Sequence, residues 1–259
     1  MRGIDSDPGR EFIIVNITSA IFQCSAPNLD SCPDASLPEF AFIGRSNVGK
    51  SSLLNMLAGK ERLARVSPTP GFTKLINFFT VDRKWRLVDL PGYGFAQVAH
   101  GTRTRFNRAV ADYLEHRKNL SCIFLLIDSG LPPQEIDVDF VQWLAGHALP
   151  FVIVFTKTDR RPPEAVAANV KAFTDRIAPW FTELPAVLQC SAQTGRGRSE
   201  LLGVVAATLA EAPEAAVPAP AAASLPAEIE PPFRLEVRAA SFREKPVSAK
   251  KRLKGARPW

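Results

Sequence analysis

The sequence predicts an α/β fold with a mixed, mostly parallel six-stranded sheet and helices on both faces. Short apolar runs alternate with helical patterns along the chain, as in such folds. Two runs, Leu75–Val81 and Trp85–Leu90, are joined by only a few residues, which suffices for a hairpin but not for a parallel crossover. The composition, 46% hydrophobic and 22% charged, is typical of a chain that buries a substantial core.

The elements follow from these patterns in chain order. The six predicted strands are Glu39–Ile43, Leu75–Val81, Trp85–Leu90, Cys122–Asp128, Phe151–Thr156 and Val187–Cys190. A helix is expected from about Lys50, where a helix-forming stretch follows the first strand. Apolar residues four apart at Ile136, Phe140 and Leu144 predict another, and those between Ser199 and Leu209 predict a further one. We expect the last two helices to cover the sheet.

Composition divides the chain into four segments. Residues 1–36 are interpreted as an N-terminal extension, with the folded body beginning near Leu37 and ending at residue 210. Residues 211–232 are largely Ala and Pro and lack the large apolar side chains that offset ordering entropy, which predicts a linker. Residues 233–259 form a basic tail with nine basic and two acidic side chains, so the net charge of +6 belongs to the tail.

Several classes of protein are disfavoured. No apolar run approaches the 18 or more residues that cross a bilayer, so we expect a cytoplasmic protein without a transmembrane segment. The four cysteines, Cys24, Cys32, Cys122 and Cys190, are widely spaced, and core packing is favoured over disulfides or zinc. Cys24 and Cys32 have no neighbouring histidine and fit no common zinc pattern.

The segment Gly44–Ser51 has the form of a phosphate-binding loop between a strand and a helix. Its glycines let the backbone turn with N–H groups converging on phosphate oxygens. Lys50 then supplies positive charge to the β and γ phosphates, and Ser51 offers a hydroxyl to Mg²⁺. The alternative is a chance glycine-rich turn, which the flanking strand and helix disfavour. The motif predicts a P-loop nucleotide-binding fold.

The motif Thr156-Lys157-Thr158-Asp159 is expected to bind the nucleotide base, because it stands at the carboxyl end of a predicted strand. The Asp159 carboxylate can accept hydrogen bonds from guanine N1–H and its exocyclic amine, while the Lys157 stem lies along the base. Adenine offers an acceptor where guanine offers a donor, so guanine is favoured. Taken alone, a surface Lys and Asp after a strand are common.

Three weaker signals complete the pattern. The first is a strand end with the sequence Asp89-Leu90-Pro91-Gly92. Asp89 would bind Mg²⁺ through water, and the Gly92 N–H would bind the γ phosphate. The alternative is a plain Asp-Pro-Gly turn. Thr73, in a Pro-Gly-Phe-Thr loop, is a candidate Mg²⁺ ligand that swings in when triphosphate is bound. Cys190-Ser191-Ala192 can offer N–H groups to the guanine carbonyl. All appear in the order and at the strand ends that one pocket needs.

These motifs define the candidate site for GTP or GDP with Mg²⁺. Catalytic roles are expected for Lys50, Thr73 and Gly92, and Mg²⁺ ligation for Ser51 and Thr73. The residues expected to bind nucleotide are Gly44, Arg45, Ser46, Asn47, Val48, Gly49, Lys50, Ser51, Gly71, Phe72, Thr73, Lys74, Leu75, Asp89, Leu90, Pro91, Gly92, Thr156, Lys157, Thr158, Asp159, Cys190, Ser191 and Ala192.

The strings GRSNVGKSSLLN, SPTPGFTKLINFF, DLPGYGFA, TKTD and CSAQTG resemble the EngB subfamily of Era-like and TrmE-like bacterial GTPases, over about residues 37–210. The resemblance implies a G domain and GTP hydrolysis, assembly of the large ribosomal subunit with its RNA and proteins as partners, and a need for normal septation in cell division. Phe72 and Lys74 stand where the family leads us to expect Arg and Gln. The linker and tail lie beyond the resemblance.

Two further expectations concern hydrolysis. Tyr93 occupies the place where Ras-type switches carry a water-orienting glutamine, which predicts slow intrinsic hydrolysis that needs a partner or an ion. The alternative is that Tyr93 packs against Phe95 and another residue takes over. The resemblance also implies that Asn47 helps hold K⁺ beside the phosphates, with ordinary loop hydrogen bonding as the alternative.

The basic segments suggest contacts with RNA. The tail interleaves basic side chains with Phe242 and Trp259, and Thr102–Arg108 carries three arginines, so either segment can contact RNA phosphates. The alternatives are a solubilising tail and a solvated helix face.

We expect a monomeric GTPase switch. The competing hypotheses are a nucleotide-gated scaffold with negligible hydrolysis, acting through protein partners, and an ATP-dependent kinase, which conflicts with Asp159.

Overall fold

The computed structural model describes residues 16–60, 63, 75–93 and 108–211, all within one compact unit that spans residues 1–215. Several predicted features lie outside these residues: Gly71–Lys74, most of the arginine run before Arg108, the linker from residue 212 and the basic tail. No helix among the described residues is long and apolar enough to cross a membrane.

The described residues form a seven-stranded mixed sheet. The strands are β1 Ala20–Ala26, β2 Glu39–Gly44, β3 Ile76–Val81, β4 Trp85–Asp89, β5 Leu120–Asp128, β6 Phe151–Thr156 and β7 Val187–Gln189. Their order in the sheet is β1-β3-β4-β2-β5-β6-β7. The β1–β3 and β3–β4 pairs are antiparallel, and every pair from β4 to β7 is parallel, which confirms the mixed, mostly parallel sheet.

The predicted count of six strands is wrong, because β1 adds a seventh inside the predicted N-terminal extension. The sheet therefore begins before Leu37. Within the described part of the chain β1 is an edge strand whose one partner is β3, and of its residues only Ala20 and Ala26 are fully buried. A register shift between Phe22 and Cys24 breaks its alternation. A half-exposed, bulged edge strand has no continuous apolar run, so its sequence carries little strand signal.

The central strands match their sequence because both faces of the sheet are covered. All six residues of β2 are buried, as are Cys122–Ile127 in β5, which explains the unbroken apolar runs. The five α-helices of the described residues are α1 Lys50–Ala58, α2 Arg108–His116, α3 Glu135–Gly146, α4 Pro163–Ile177 and α5 Arg198–Glu211. α1 and α5 pack in one apolar cluster, and α2, α3 and α4 pack in another. This arrangement confirms the prediction that helices cover both faces of the sheet.

Two helices were not predicted from the sequence. α2 buries only Val110, Tyr113 and Leu114, and α4 buries only Val166, Phe173 and Ile177 over fifteen residues. Such sparse apolar spacing is weak evidence for a helix in a sequence. The sheet topology nevertheless has one consequence for function: the carboxyl ends of the parallel strands lie along one edge, where the predicted motifs follow them.

Candidate functional site

The loop between β2 and α1 has the backbone geometry of a phosphate cradle. Gly49 caps α1 with φ of 103°, a left-handed conformation, and has no side chain to bond the N–H groups of the first helical turn. Asn47 also has positive φ, 61°. A Cβ on Gly44 would stand 2.6 Å from the carbonyl oxygen of Leu126 on β5, so only glycine fits there. The helix N-terminus with these open amides is suited to anions.

Lys50 and Asp89 meet beside this loop. The Lys50 ammonium donates to the Asp89 carboxylate, and both residues are buried, with 9% and 4% of their surface exposed. A buried charge needs a partner, and each supplies one for the other. Two candidate site residues therefore lie in direct contact although they are 39 positions apart in sequence. Ser51 follows in the first turn of α1, half-buried.

The chain after β4 runs against the phosphate loop. The Leu90 N–H donates to the Phe42 carbonyl at 3.1 Å, which continues the β2–β4 pairing past the end of β4. A Cβ on Gly92 would lie 2.9 Å from the Gly44 carbonyl and 3.4 Å from the Ser46 nitrogen. Gly92 is therefore packed on the loop at a distance that excludes any side chain.

Thr156 and Lys157, at the end of β6, bind the other side of the same loop. The Thr156 hydroxyl donates to the Val48 carbonyl at 2.6 Å. The Lys157 ammonium donates to the Asn47 carbonyl at 2.5 Å and to Asp128 at 2.7 Å, and its stem passes Gly49. The candidate base-binding residues thus hold the phosphate loop directly.

The segment after β7 is held to β6 by its backbone. The Cys190 N–H donates to the Phe155 carbonyl at 2.7 Å, and the Cys190 carbonyl accepts from the Thr158 N–H and hydroxyl at 3.3 and 3.2 Å. A hydrogen bond from the Ser191 side chain holds the pKa of Asp159 below its ordinary value. Asp159 itself is exposed, so its carboxylate is charged and accessible.

A pocket of about 360 Å³ joins these loops, within the range of about 300–1,000 Å³ that is common for ligand sites. It is lined by Gly49, Ser52, Leu53, Thr156, Lys157, Asp159, Arg160, Ala192 and Gln193. The structure therefore brings together parts of the phosphate loop, the Thr-Lys-Thr-Asp motif and the segment after β7.

Some sequence-predicted residues are not placed in this assembly. Gly71, Phe72, Thr73 and Lys74 lie outside the described residues, and Leu75 is 41% exposed just before β3. Among the described residues no group of three or more His, Cys, Asp or Glu side chains could hold a metal ion. The candidate Mg²⁺ ligands among the described residues are Ser51 and, through water, Asp89; this ion is usually bound by few protein ligands together with water and phosphate.

Several residues of the site were missed. Asp128 ends β5 at the same edge and binds Lys157, and its position as the last residue of a predicted apolar strand was the available signal. Ser52, Arg160 and Gln193 line the pocket and are each adjacent to a predicted residue.

Tyr93 does not stand free to orient water. Tyr93 is 3% exposed, its hydroxyl donates to Asp137 at 2.9 Å, and its ring stacks on Phe140 with centroids 4.5 Å apart. Phe95, the predicted packing partner, lies outside the described residues.

Residues 39–157 match the model of the family described as 50S ribosome-binding GTPase. The chain is similar to the probable GTP-binding protein EngB of Christiangramia forsetii, with 44% identity over 191 residues that cover 74% of this chain and 96% of that protein. The corresponding protein of Porphyromonas gingivalis is also 44% identical over 191 residues, 74% of this chain and 95% of its own length.

Two solved structures share the fold. A probable GTP-binding protein engB superposes with a TM-score of 0.50 at 24% identity, covering 67% of this chain and 99% of that one. A variant of Aquifex aeolicus Era bound to GDP·AlF₄⁻ gives a TM-score of 0.51 at 22% identity, covering 67% and 57%.

Proposed function

Because this chain belongs to the EngB family of GTP-binding proteins, a family of GTPases, we propose that it binds GTP with Mg²⁺ and works as a molecular switch. In this proposal the GTP-bound and GDP-bound forms differ in their affinity for a precursor of the large ribosomal subunit. The protein acts as a cytoplasmic monomer and is required for normal septation.

The observation that carries the proposal is the pocket between Gly49, Lys157, Asp159 and Ala192. It opens next to the phosphate loop, so a ligand with a base and a phosphate chain can reach both. Asp159 presents an ionised carboxylate to the N1–H and amine of guanine, and adenine would leave it without donors. The stem of Lys157, held by Asn47 and Asp128, supplies one wall for the base.

Hydrolysis would use the charged groups beside the loop. The Lys50 ammonium would bind the β and γ phosphates and stabilise the negative charge that develops on them. Ser51 would bind Mg²⁺ directly and Asp89 would bind it through water. The ion neutralises phosphate charge when bound, and the Gly92 N–H would bind the γ phosphate. Thr73 is proposed as a further Mg²⁺ ligand on the basis of its motif. Because Tyr93 is buried and bonded to Asp137, we propose slow intrinsic hydrolysis that a ribosomal partner or K⁺ accelerates.

The ribosomal part of the proposal rests on the family. The matching family model is described as a 50S ribosome-binding GTPase, and Era, which shares this fold, has been solved in complex with 16S ribosomal RNA.

We propose that the linker at 211–232 carries the basic tail at 233–259, and that the tail binds RNA phosphates. Deleting the tail should weaken ribosome binding and its dependence on salt; unchanged binding at every salt concentration would contradict this role.

Nucleotide choice is tested with Asp159→Asn. Wild-type protein should bind GTP and GDP and not ATP, and the variant should lose about 100-fold or more in guanine-nucleotide affinity, because an amide cannot replace the carboxylate as a double acceptor. Asp175→Asn is the matched control, since Asp175 is an exposed aspartate that pairs with Lys171 on α4. Equal affinity for ATP, or a variant that binds guanine as well as wild type, would refute the proposed base recognition.

The switch is tested by binding to large-subunit fractions. Retention should be stronger with a non-hydrolysable GTP analogue than with GDP, and turnover should rise when large subunits are added. Turnover that stays negligible with large subunits present would favour the scaffold hypothesis. Equal rates in K⁺ and Na⁺ buffers would exclude the role of Asn47 in holding K⁺.

A further inference from the structure

Arg45, Tyr93 and Asp137 form a polar cluster that joins three separate elements. Arg45 lies in the phosphate loop, Tyr93 follows β4, and Asp137 is in the first turn of α3. The Arg45 Nε donates to both Asp137 carboxylate oxygens at 3.0 Å, and the Tyr93 hydroxyl donates to Oδ1 at 2.9 Å. The residues are 92 and 44 positions from Asp137 in sequence, so only the fold brings them together.

The carboxylate at the centre is fully buried. Asp137 has no exposed surface, and a buried charge is tolerated only when it is paired and hydrogen-bonded. Arg45 provides the charge and Tyr93 a second donor. Burial raises the pKa of Tyr93 well above its ordinary value, so its hydroxyl keeps its proton and remains a donor.

Tyr93 is fixed by more than its hydroxyl. Its ring stacks on Phe140, one turn along α3 from Asp137, and its backbone forms a parallel β-bridge with Arg45. The contacts hold the residue to α3 through its side chain and to the phosphate loop through its backbone. The next residue back along the chain is Gly92, whose backbone packs on Gly44 and Ser46 with no room for a Cβ.

We propose that Asp137 is a positioning residue that, through Arg45 and Tyr93, fixes the Gly92 N–H beside the phosphate loop and so favours triphosphate over diphosphate. The inference rests on the proposed function, in which the Gly92 N–H binds the γ phosphate. Because Gly92 directly precedes Tyr93, loss of the Tyr93 hydrogen bond would allow Gly92 to move away from the loop. Only a ligand with a γ phosphate would lose a contact.

A second cluster with the same chemistry serves as a matched control. The hydroxyl of Tyr113 on α2 donates to the fully buried Glu39 at 2.8 Å, and Glu39 also pairs with Arg117 and Arg86. This cluster lies at the start of β2, whereas the nucleotide site lies beyond its end. Removing the Tyr113 hydroxyl therefore removes a comparable bond without touching the site.

The test compares Tyr93→Phe, Asp137→Asn and Tyr113→Phe in the full chain. The affinities of GDP and a non-hydrolysable GTP analogue are measured by fluorescence titration, and folding is checked by urea unfolding. For Tyr93→Phe and Asp137→Asn, the ratio of triphosphate to diphosphate affinity should fall about tenfold relative to wild type, as expected for the loss of a hydrogen bond to a charged group. For Tyr93→Phe the affinity for GDP should stay within about twofold, because this change leaves the pair between Arg45 and Asp137 in place.

The outcomes separate this inference from the proposed function. Wild-type protein that binds neither guanine nucleotide would refute the proposed function. Wild-type binding together with an unchanged ratio in Tyr93→Phe would overturn the positioning role alone. A fall of equal size in Tyr113→Phe would also overturn it, because general destabilisation would then explain the effect. Tyr93→Phe keeps the ring and its stacking, so the test stands even where Asp137→Asn does not fold.

Discussion

Two glycines in the loop after β7 allow a quantitative test of how tightly the candidate guanine pocket is built. Gly195 and Gly197 have nearly the same left-handed backbone, with φ of 79° and 83°. A Cβ on Gly195 would have no neighbour within 4 Å, whereas one on Gly197 would lie 2.4 Å from the Gln189 carbonyl and 2.5 Å from the Cys190 sulfur. The two alanine variants therefore share the conformational strain and differ in the steric clash.

The expected free energies of unfolding follow from these two terms. Positive φ costs an alanine about 1–2 kcal/mol, offset by about 0.4–1 kcal/mol because alanine restricts the unfolded chain more than glycine does. Gly195→Ala should therefore lower the free energy of unfolding by at most about 1.5 kcal/mol. The clash at Gly197 adds roughly 1–3 kcal/mol, because the neighbours are backbone atoms and a buried sulfur rather than a flexible side chain.

Urea unfolding of both variants and wild type measures this difference directly. Gly197→Ala should also lower the affinity for GDP, because relief of the clash must displace Gln189 and Cys190, which lead into Ala192 in the pocket wall. Gly195→Ala should leave that affinity unchanged. If the two variants unfold within about 0.5 kcal/mol of each other, the loop relaxes freely and the reasoning from steric contact is wrong.

Three further predictions concern neighbouring parts of the site. Ser191→Ala should raise the pKa of Asp159 toward its ordinary value of 3.8, as measured by carboxyl NMR. The hydrogen bond from Ser191 stabilises the folded state above that pH, and this contribution is lost as the pH falls through the lowered pKa. An unchanged titration of Asp159 in the variant would refute this role of Ser191. Arg198→Met should cost about 1–2 kcal/mol in urea unfolding, because the guanidinium donates to two carbonyls in the last turn of α1 at 3.1 and 2.9 Å, and no loss would contradict that capping. Burial raises the pKa of the Cys122 and Cys190 thiols to about 12, so at pH 8 a thiol reagent should modify them at least about 100-fold more slowly in the native than in the unfolded protein, and comparable rates would disprove their burial.

The sequence alone predicted those features that depend on local patterns. β6 was predicted with the bounds Phe151–Thr156 that the structure has, because a strand covered on both faces is a continuous apolar run. The phosphate loop was recognisable because its glycines, Lys50 and Ser51 follow a strand and open a helix. Since parallel strands align their carboxyl ends, the order of the motifs also predicted that they share one edge.

The tertiary structure decided which polar side chains meet. The contacts of Lys50 with Asp89 and of Arg45 with Asp137 each join residues far apart in sequence, and Asp137 lies in a helical stretch that was recognised only by its apolar spacing. β1 was missed because pairing with β3, not an apolar run, keeps it in the sheet. Local sequence sets backbone conformation and burial, but a buried ion pair depends on how whole elements pack, and that is determined only when the sheet and its helices have assembled.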